Sequence, residues 1–273
     1  SAKEFAELAQ WVNYDGHRSL FESRSQNRKG LLMWMSHSCW PSMVWQTYDY
    51  YFEPTAAYFA IKKASEPLHI QWNPATDEVE VVNYSAGTHK GLTAKVQVLN
   101  MDASVAWEKE ATVDSNEDTT DKCIKLEFPE NLSKVHFIKM TLTEDGKVVS
   151  DNFYHRSLEE NNYQDLCQLA KVALQSATTV DKNADGTWSA VSVIENKTST
   201  PALMIRLNVV DGKDDQQILP VFYSDNYFSL LPGEKKEVRM SWRDEDTRGN
   251  EGKVLITCLL YTSPSPRDST SSR

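Results

Sequence analysis

The sequence predicts a multidomain protein in which a short β/α segment is followed by two antiparallel β-sandwiches. Before Pro67, apolar residues recur at helical spacing around one short apolar run. After Pro67, apolar and polar residues alternate, in two groups separated by the polar stretch 158–170. Turn sequences break up each group, and short alternating strands with closely spaced turns are typical of β-sandwiches.

The residues before Pro67 predict two helices around one buried strand. Residues 2–27 carry apolar side chains at helical spacing, among them Phe5, Leu8, Ala9 and Val12. The run Leu31–Met35 is apolar without alternation, as expected of a parallel strand buried on both faces. A second helix is predicted over 55–64. Helix, strand, long loop and helix in this order indicate part of a β/α repeat.

The first sandwich is predicted over 67–157. Apolar residues alternate in its strands: Val79 with Val81, Val96 with Val98, Ile124 with Leu126, and Ile138 with Met140 and Leu142. Turn sequences separate these strands: Asn73-Pro74, Ala86-Gly87 and Asp145-Gly146. This pattern predicts a small all-β domain.

The second sandwich is predicted over 158–257, with the polar stretch 158–170 as a linker at its start. Its alternating strands include Ser189 to Val193, Met204 to Leu207, and Val238 to Trp242. Leu231 to Glu234 reads LPGE and predicts a type II turn, since Pro and Gly occupy its two central positions.

The last residues, 258–273, do not fit this pattern. Cys258 to Asp268 reads CLLYTSPSPRD, the translation of a transposase sequencing adapter, so we expect the tail to be foreign to the protein. Leu259 to Tyr261 are expected to extend the last strand, because an open sandwich edge accepts an apolar extended segment. Residues from Ser263 onward are expected to pack on nothing.

Composition excludes several classes of partner and site. The formal net charge of the 273 residues is −10 and the pI about 5.1, which argues against nucleic acid because its phosphates attract basic surfaces. No stretch approaches the roughly 18 apolar residues of a membrane span. The four cysteines are scattered and lack zinc-ligand spacing, so neither a disulfide framework nor a metal site is indicated.

One segment before the sandwiches carries a family resemblance. Gly30 to Ser42 reads GLLMWMSHSCWPS, and it is followed by YDYY at Tyr48–Tyr51 and KKASEP at Lys62–Pro67. Further on, Ser150–Tyr154 reads SDNFY and Pro220–Glu234 reads PVFYSDNYFSLLPGE. In this order the phrases resemble glycoside hydrolase family 2, in its exo-β-glucosaminidase and β-mannosidase branch.

The resemblance implies a fold and an activity. It makes residues 1–66 the end of a (β/α)8 barrel, with Leu31–Met35 as its eighth strand, followed by Ig-like domains at 67–157 and 158–257. It implies a retaining enzyme that removes β-linked glucosamine or mannose from oligo- or polysaccharides, and both sugars stay open. It implies no cofactor and no metal.

Candidate substrate-binding residues follow from the resemblance and from barrel geometry. Barrel active sites lie at the carboxyl ends of the strands, where Trp34 ends the predicted strand and His37, Ser38 and Trp40 follow. In the family, a Trp at this position forms the floor of the subsite for the cleaved sugar, a role carried here to Trp34. His37 and Ser38 are candidates for hydrogen bonds to sugar hydroxyls.

Each candidate also has a purely structural interpretation. Trp34 can be barrel filling, and Trp40 can be loop packing. The Tyr48–Tyr51 cluster is more often a packed loop, although Asp49 within it can meet the ammonium group of an amino sugar.

The catalytic carboxylates are expected upstream of Ser1. Retaining hydrolysis needs two carboxyl groups roughly 5–5.5 Å apart, and in this family they follow the fourth and seventh strands. Asp49 and Glu53 are the acids near the rim of the predicted eighth strand, and no family motif makes them catalytic. We therefore expect the chain to be inactive alone.

Two other functions remain open at this stage. The two sandwiches are also compatible with a non-catalytic carbohydrate-binding or interaction protein. An inactive barrel relative kept for binding is the third hypothesis. Paired carboxylates at barrel-strand ends upstream of Ser1 distinguish the enzyme from both.

Overall fold

The structure, a computed structural model, describes residues 2–23, 30–42, 45–84, 87–160 and 162–259. The expectations for Leu260, Tyr261 and 263–273 lie outside these residues. The chain divides into two compact units. The unit of the N-terminal sandwich comprises Gln10–Ser36 and Ala57–Gln168, and the unit of the C-terminal sandwich comprises the described parts of Ser1–Ala9, His37–Ala56 and Leu169–Arg273.

Both predicted helices are present, as α1 (Ala2–Glu22) and α2 (Ala56–Ala64). The apolar residues whose spacing predicted α1 are largely exposed, however: Phe5, Leu8 and Val12 are 62%, 43% and 68% exposed. From Gln10 onward α1 buries Trp11 together with the polar residues Arg18 and Glu22. No helix among the described residues is long and apolar enough to cross a membrane.

The predicted strand at Leu31–Met35 is wrong for this chain. These residues have no regular structure, Leu32 is fully exposed and Met35 adopts a left-handed φ of 60°. A doubly buried parallel strand must exchange hydrogen bonds with a strand on each side. Every strand of the described chain belongs to one of the two sandwiches, so none is available to pair here.

In the N-terminal sandwich, the described residues form seven strands in two antiparallel sheets. They are β1 (Leu68–Asn73), β2 (Glu78–Asn83), β3 (His89–Asn100), β4 (Val105–Ser115), β5 (Thr119–Lys125), β6 (Val135–Glu144) and β7 (Lys147–Ser157). The sheet orders are β1-β2-β5 and β4-β3-β6-β7. Both sheets supply the core, with Ile70 and Val81 from one and Val98 and Ile138 from the other.

A polar cluster joins α1 to this sandwich. His69 on β1 is fully buried, with Nε2 3.0 Å from a Glu22 carboxylate oxygen and Nδ1 3.1 Å from Glu66. Tyr154 on β7 donates its hydroxyl to Glu22 at 2.9 Å, and Arg18 donates to the side-chain oxygen of Asn152 at 3.0 Å. Hydrogen bonds, rather than an apolar stripe, therefore select the buried face of α1.

The charged groups of this cluster shift one another's pKa values toward the ionised forms. Burial acts to lower the pKa of His69, but hydrogen bonds to Glu22 and Glu66 outweigh it and raise the pKa above its usual range. For Glu22, burial acts to raise the pKa, whereas bonding to His69 and the charge of Arg18 lower it. These shifts favour a charged imidazolium between two carboxylates.

The part of the C-terminal sandwich that the structure describes, up to Leu259, also has seven strands. They are β8 (Gln175–Lys182), β9 (Thr187–Glu195), β10 (Ala202–Asp211), β11 (Phe222–Tyr223), β12 (Phe228–Leu230), β13 (Lys235–Arg243) and β14 (Gly252–Leu259). The sheet orders are β12-β10-β14 and β11-β13-β9-β8. Trp242, Val238, Ile205 and Leu207 are central to its core. β14 runs two residues past the expected domain end at 257.

Candidate functional site

Trp34, the predicted sugar platform, lies in the irregular segment after Gly30. Its side chain is 79% exposed, and it belongs to the unit of the N-terminal sandwich. The predicted candidates His37, Ser38 and Trp40 belong to the unit of the C-terminal sandwich. Most of the surface of Trp34 is therefore accessible within the described chain.

His37 is held by an aromatic contact and a backbone pairing. Its ring stacks on Phe52 with centroids 4.1 Å apart and an interplanar angle of 12°. Its Nε2 lies 3.3 Å from the Tyr50 carbonyl oxygen, and its backbone forms a parallel bridge with Tyr48. The position of this imidazole therefore depends on the loop 45–55.

Ser38 is buried, with 2% of its surface exposed, and donates its hydroxyl to the Gln46 side-chain oxygen at 2.9 Å. Thr55 closes the same loop, since its hydroxyl lies 2.8 Å from the Gln46 carbonyl oxygen and 3.1 Å from that of Thr47. The hydroxyl of Ser38 thus contributes to the loop's internal hydrogen bonds.

Trp40 is 68% exposed, and its carbonyl oxygen accepts a hydrogen bond from the Ser42 hydroxyl at 3.2 Å. Trp45, on the other side of the undescribed residues 43–44, is 42% exposed. Neither indole is buried within the part of the chain that the structure describes.

Asp49 organises the turn of the loop. One carboxylate oxygen accepts from the backbone N–H groups of Tyr51 at 2.8 Å and Glu53 at 2.9 Å. The Asp49 N–H donates to the Glu53 carbonyl oxygen at 3.0 Å. Partial burial raises the pKa of Asp49, and the negative charge of Glu53 acts in the same direction.

Glu53 ties the loop to the C-terminal sandwich. One of its carboxylate oxygens accepts from the guanidinium of Arg206 on β10, and the other from the side-chain amide of Gln217. The Glu53 side chain is only 15% exposed. Sequence reasoning did not single out Arg206, although a lone charge in the apolar run ALMIRLNVV of β10 is a recognisable signal.

Arg206 lies among phenol groups. Tyr227 and then Glu53 act to raise the pKa of Arg206 and so favour its charged form, against burial. Burial raises the pKa of Tyr227 to about 12. The two acids near the predicted rim are thus engaged inside the protein: Asp49 caps a turn, and Glu53 has a partner on each oxygen.

Two family models match the chain. Residues 77–157 match the Mannosidase Ig/CBM-like domain, and residues 152–258 match the Exo-beta-D-glucosaminidase Ig-fold domain. The first match covers most of the N-terminal sandwich, and the second covers the whole C-terminal sandwich apart from its last residue.

Curated relatives and solved structures agree with these models. The exo-beta-D-glucosaminidase of Streptomyces avermitilis is 30% identical over 93% of this chain, and that of Amycolatopsis orientalis is 31% identical over 93%. The crystal structure of the Amycolatopsis orientalis exo-chitosanase CsxA superposes with a TM-score of 0.86 at 29% identity, covering 94% of this chain and 34% of that one.

The chain spans only 31% and 27% of the length of these two curated relatives. Within that span, both Ig-type domains follow in the order that the sequence phrases predict. The matched domains and the superposition therefore support the resemblance of this chain to the exo-β-glucosaminidase and β-mannosidase branch of glycoside hydrolase family 2.

Proposed function

We propose that this chain is the C-terminal part of a retaining glycoside hydrolase that removes β-linked glucosamine or mannose from oligo- or polysaccharides. The observation that carries the proposal is the superposition on a solved exo-chitosanase over 94% of the chain with a TM-score of 0.86. A match that includes the segment before the sandwiches favours a piece of an enzyme over a free-standing binding module.

The domain division belongs to this proposal. Residues 1–66 are the end of a (β/α)8 barrel, 67–157 and 158–257 are the two Ig-like domains, and 258–273 is the foreign tail. In the complete enzyme, the preceding barrel strands supply the pairing partners that Leu31–Met35 lacks here. Because a barrel strand cannot form alone, its irregular backbone in this chain is compatible with that role.

The proposed substrate contacts are Trp34, His37 and Trp40. Trp34 offers an exposed ring face as a platform, and His37 offers a ring nitrogen to a sugar hydroxyl. Ser38 acts through Gln46, because its hydroxyl is buried and already donates to that side chain. The acid/base and the nucleophile come from residues outside this chain.

The experiment is hydrolysis by the complete enzyme, with the chain joined to the region that precedes it. Aryl β-glucosaminide and aryl β-mannoside are compared by kcat/KM, and the anomeric configuration of the first product is read by NMR. Release of the β-anomer supports the retaining mechanism. Sugar binding without turnover of either substrate contradicts the proposal and supports the non-catalytic alternative.

A further inference from the structure

The carboxylate of Glu53 is held more firmly than a surface carboxylate. Its two oxygens have different partners, Arg206 and Gln217, and both partners come from the C-terminal sandwich. Charge-assisted hydrogen bonds of this kind are short and about twice as strong as neutral ones. Exposed pairs such as Arg239 with Glu237, whose side chains are 76% and 47% exposed, contribute little.

Glu53 in turn determines the backbone beside it. Its N–H and carbonyl close the turn on Asp49, and its neighbour Phe52 has a φ of 68°. A bulky residue in the left-handed region is strained and keeps that conformation only when its surroundings impose it. Phe52 is 62% exposed, so burial of its ring does not impose this conformation. The adjacent constraints are the Phe52 N–H bond to the Asp49 carbonyl oxygen at 3.2 Å, the other bonds of the Asp49 turn, and the contacts of the Glu53 side chain with Arg206 and Gln217.

Phe52 transmits these constraints to His37. The two rings are stacked at 4.1 Å and nearly parallel, and His37 is the proposed ligand of a sugar hydroxyl. A chain of direct contacts therefore runs from Arg206 and Gln217 through Glu53 and Phe52 to the imidazole. All five residues lie in the unit of the C-terminal sandwich.

From these contacts we infer that Arg206, with Gln217, is a positioning residue for the sugar site: the C-terminal sandwich fixes the loop 45–55 and thereby the place of His37. This inference rests on the proposed function for its consequence in catalysis. The mechanical part of the inference, that Arg206 determines the position of His37, depends only on the contacts described above and not on the proposed function. The sandwich then acts on substrate affinity without touching the sugar.

The mechanical part is tested on the 273-residue chain by NMR of the histidine ring protons and by hydrogen exchange of the loop. Phe52→Ala removes the ring current on His37 and supplies the reference shift, and His37→Gln assigns the signal among the six histidines. Arg206→Ala is expected to move the His37 signal toward the Phe52→Ala position and to speed exchange in 45–55 about tenfold or more. The matched control Arg239→Ala is expected to do neither.

Further variants distinguish loss of these contacts from misfolding of the chain. Gln217→Ala leaves the Arg206 charge in place and is expected to produce a smaller shift of the His37 signal in the same direction. Glu53→Ala is expected to move the His37 signal at least as far as Arg206→Ala, because it removes the contacts to both Arg206 and Gln217, and the double variant of Glu53 and Arg206 is expected to match Glu53→Ala. Additive effects, or an unmoved His37 signal in folded Arg206→Ala, overturn the inference.

The catalytic consequence is measured in the complete enzyme. Arg206→Ala is expected to raise KM for an aryl glycoside about tenfold while kcat changes less than about threefold, the pattern of lost binding rather than lost chemistry. An inactive wild type overturns the proposed function but leaves the NMR result standing. An active wild type whose KM is unchanged by Arg206→Ala overturns the catalytic consequence of this inference alone.

Discussion

Trp34 and Trp242 differ strongly in burial, so substitution of the first is expected to affect substrate binding and substitution of the second to affect stability. Trp34 is 79% exposed, whereas Trp242 is 2% exposed and stacks on Trp188 with centroids 6.4 Å apart. Loss of an exposed indole removes a surface that a substrate can use, whereas loss of a buried one leaves a cavity. The same chemical change therefore has different consequences at the two positions.

We expect Trp34→Ala in the complete enzyme to lower kcat/KM about a hundredfold, because a misplaced sugar ring loses its alignment with the reacting groups. Its melting temperature should stay at the wild-type value. Trp242→Ala should instead lower the free energy of unfolding by about 3–5 kcal/mol and leave the kinetics of the folded fraction intact. Kinetics and thermal melts on both variants check this, and full activity of Trp34→Ala would remove that residue from the site.

At the scale of elements, the attachment of α1 to the N-terminal sandwich depends on pH through His69. Its pKa is raised above the ordinary 6.5, so its contribution to stability is complete below that pH and is lost as pH rises through the folded-state pKa. The pKa of Glu22 is lowered from 4.5, so its contribution is present above that pH and is lost as pH falls. The cluster therefore stabilises most between pH 4.5 and 6.5.

We expect His69→Gln to lower the free energy of unfolding by about 3 kcal/mol near pH 6, with a smaller loss at alkaline pH, because it removes the buried cation that bonds to both carboxylates. His155 acts in the opposite direction, since burial lowers its pKa to about 3 and disfavours the folded state in acid. Urea unfolding across pH gives the free energy of unfolding of the wild type and of the variant, and the difference between them separates the contribution of His69 from that of His155. His89→Gln, on the partly exposed pair with Glu144, is the control and should change stability by about 1 kcal/mol or less.

Two glycines in regular elements should respond oppositely to the same methyl group. Gly16 lies on the exposed side of α1, and an added Cβ meets nothing within 4 Å, so Gly16→Ala should stabilise by about 0.5–1 kcal/mol. At Gly252 on β14, a Cβ falls 2.9 Å from Trp242 and 3.1 Å from Ile218. Gly252→Ala should therefore destabilise by about 1–3 kcal/mol. Denaturant unfolding measures the change in the free energy of unfolding for both variants. Changes of the same sign in both would contradict the packing described here.

Local signals predicted several elements correctly. The turn at Leu231 to Glu234 has the expected 3.1 Å hydrogen bond and a φ of 81° at Gly233, as only a glycine-bearing type II turn provides easily. The face Ile138, Met140 and Leu142 lies in the core as predicted. These features depend on neighbours along the chain or on strict alternation, both of which a sequence displays.

Features that depend on distant partners were missed. In β9 the predicted alternation of Ser189, Val191 and Val193 is real, but the fully buried residues are the intervening Ala190, Ser192 and Ile194. The buried face of α1 was missed because its partners, His69 and Asn152, are far away in sequence. For the same reason the site candidates Trp34 and His37 came from a family resemblance, and the Glu53–Arg206 clamp came only from the structure.

At the scale of the whole molecule, the described chain holds two sandwiches and a segment, 30–55, in which Asp49 and Glu53 are the acids nearest the proposed substrate contacts. Asp49 caps a turn through one carboxylate oxygen, and both oxygens of Glu53 are hydrogen-bonded inside the protein, so both acids have structural roles. The 273-residue chain alone should therefore not hydrolyse aryl β-glucosaminides or β-mannosides above the buffer rate. Turnover by the purified chain, abolished by Asp49→Asn or Glu53→Gln, would contradict this expectation.

The uneven exposure of the indoles also has a spectroscopic consequence. Of the eight tryptophans, Trp34, Trp40 and Trp45 are 79%, 68% and 42% exposed, whereas Trp11, Trp72 and Trp242 are 8% exposed or less and Trp107 and Trp188 pack against the cores. Indoles in water emit at longer wavelength than buried ones, so the long-wavelength edge of the emission of the unlabelled protein should come chiefly from Trp34, Trp40 and Trp45. Acrylamide quenching of that emission then reports directly on the accessibility of the segment 34–45, without any introduced fluorophore.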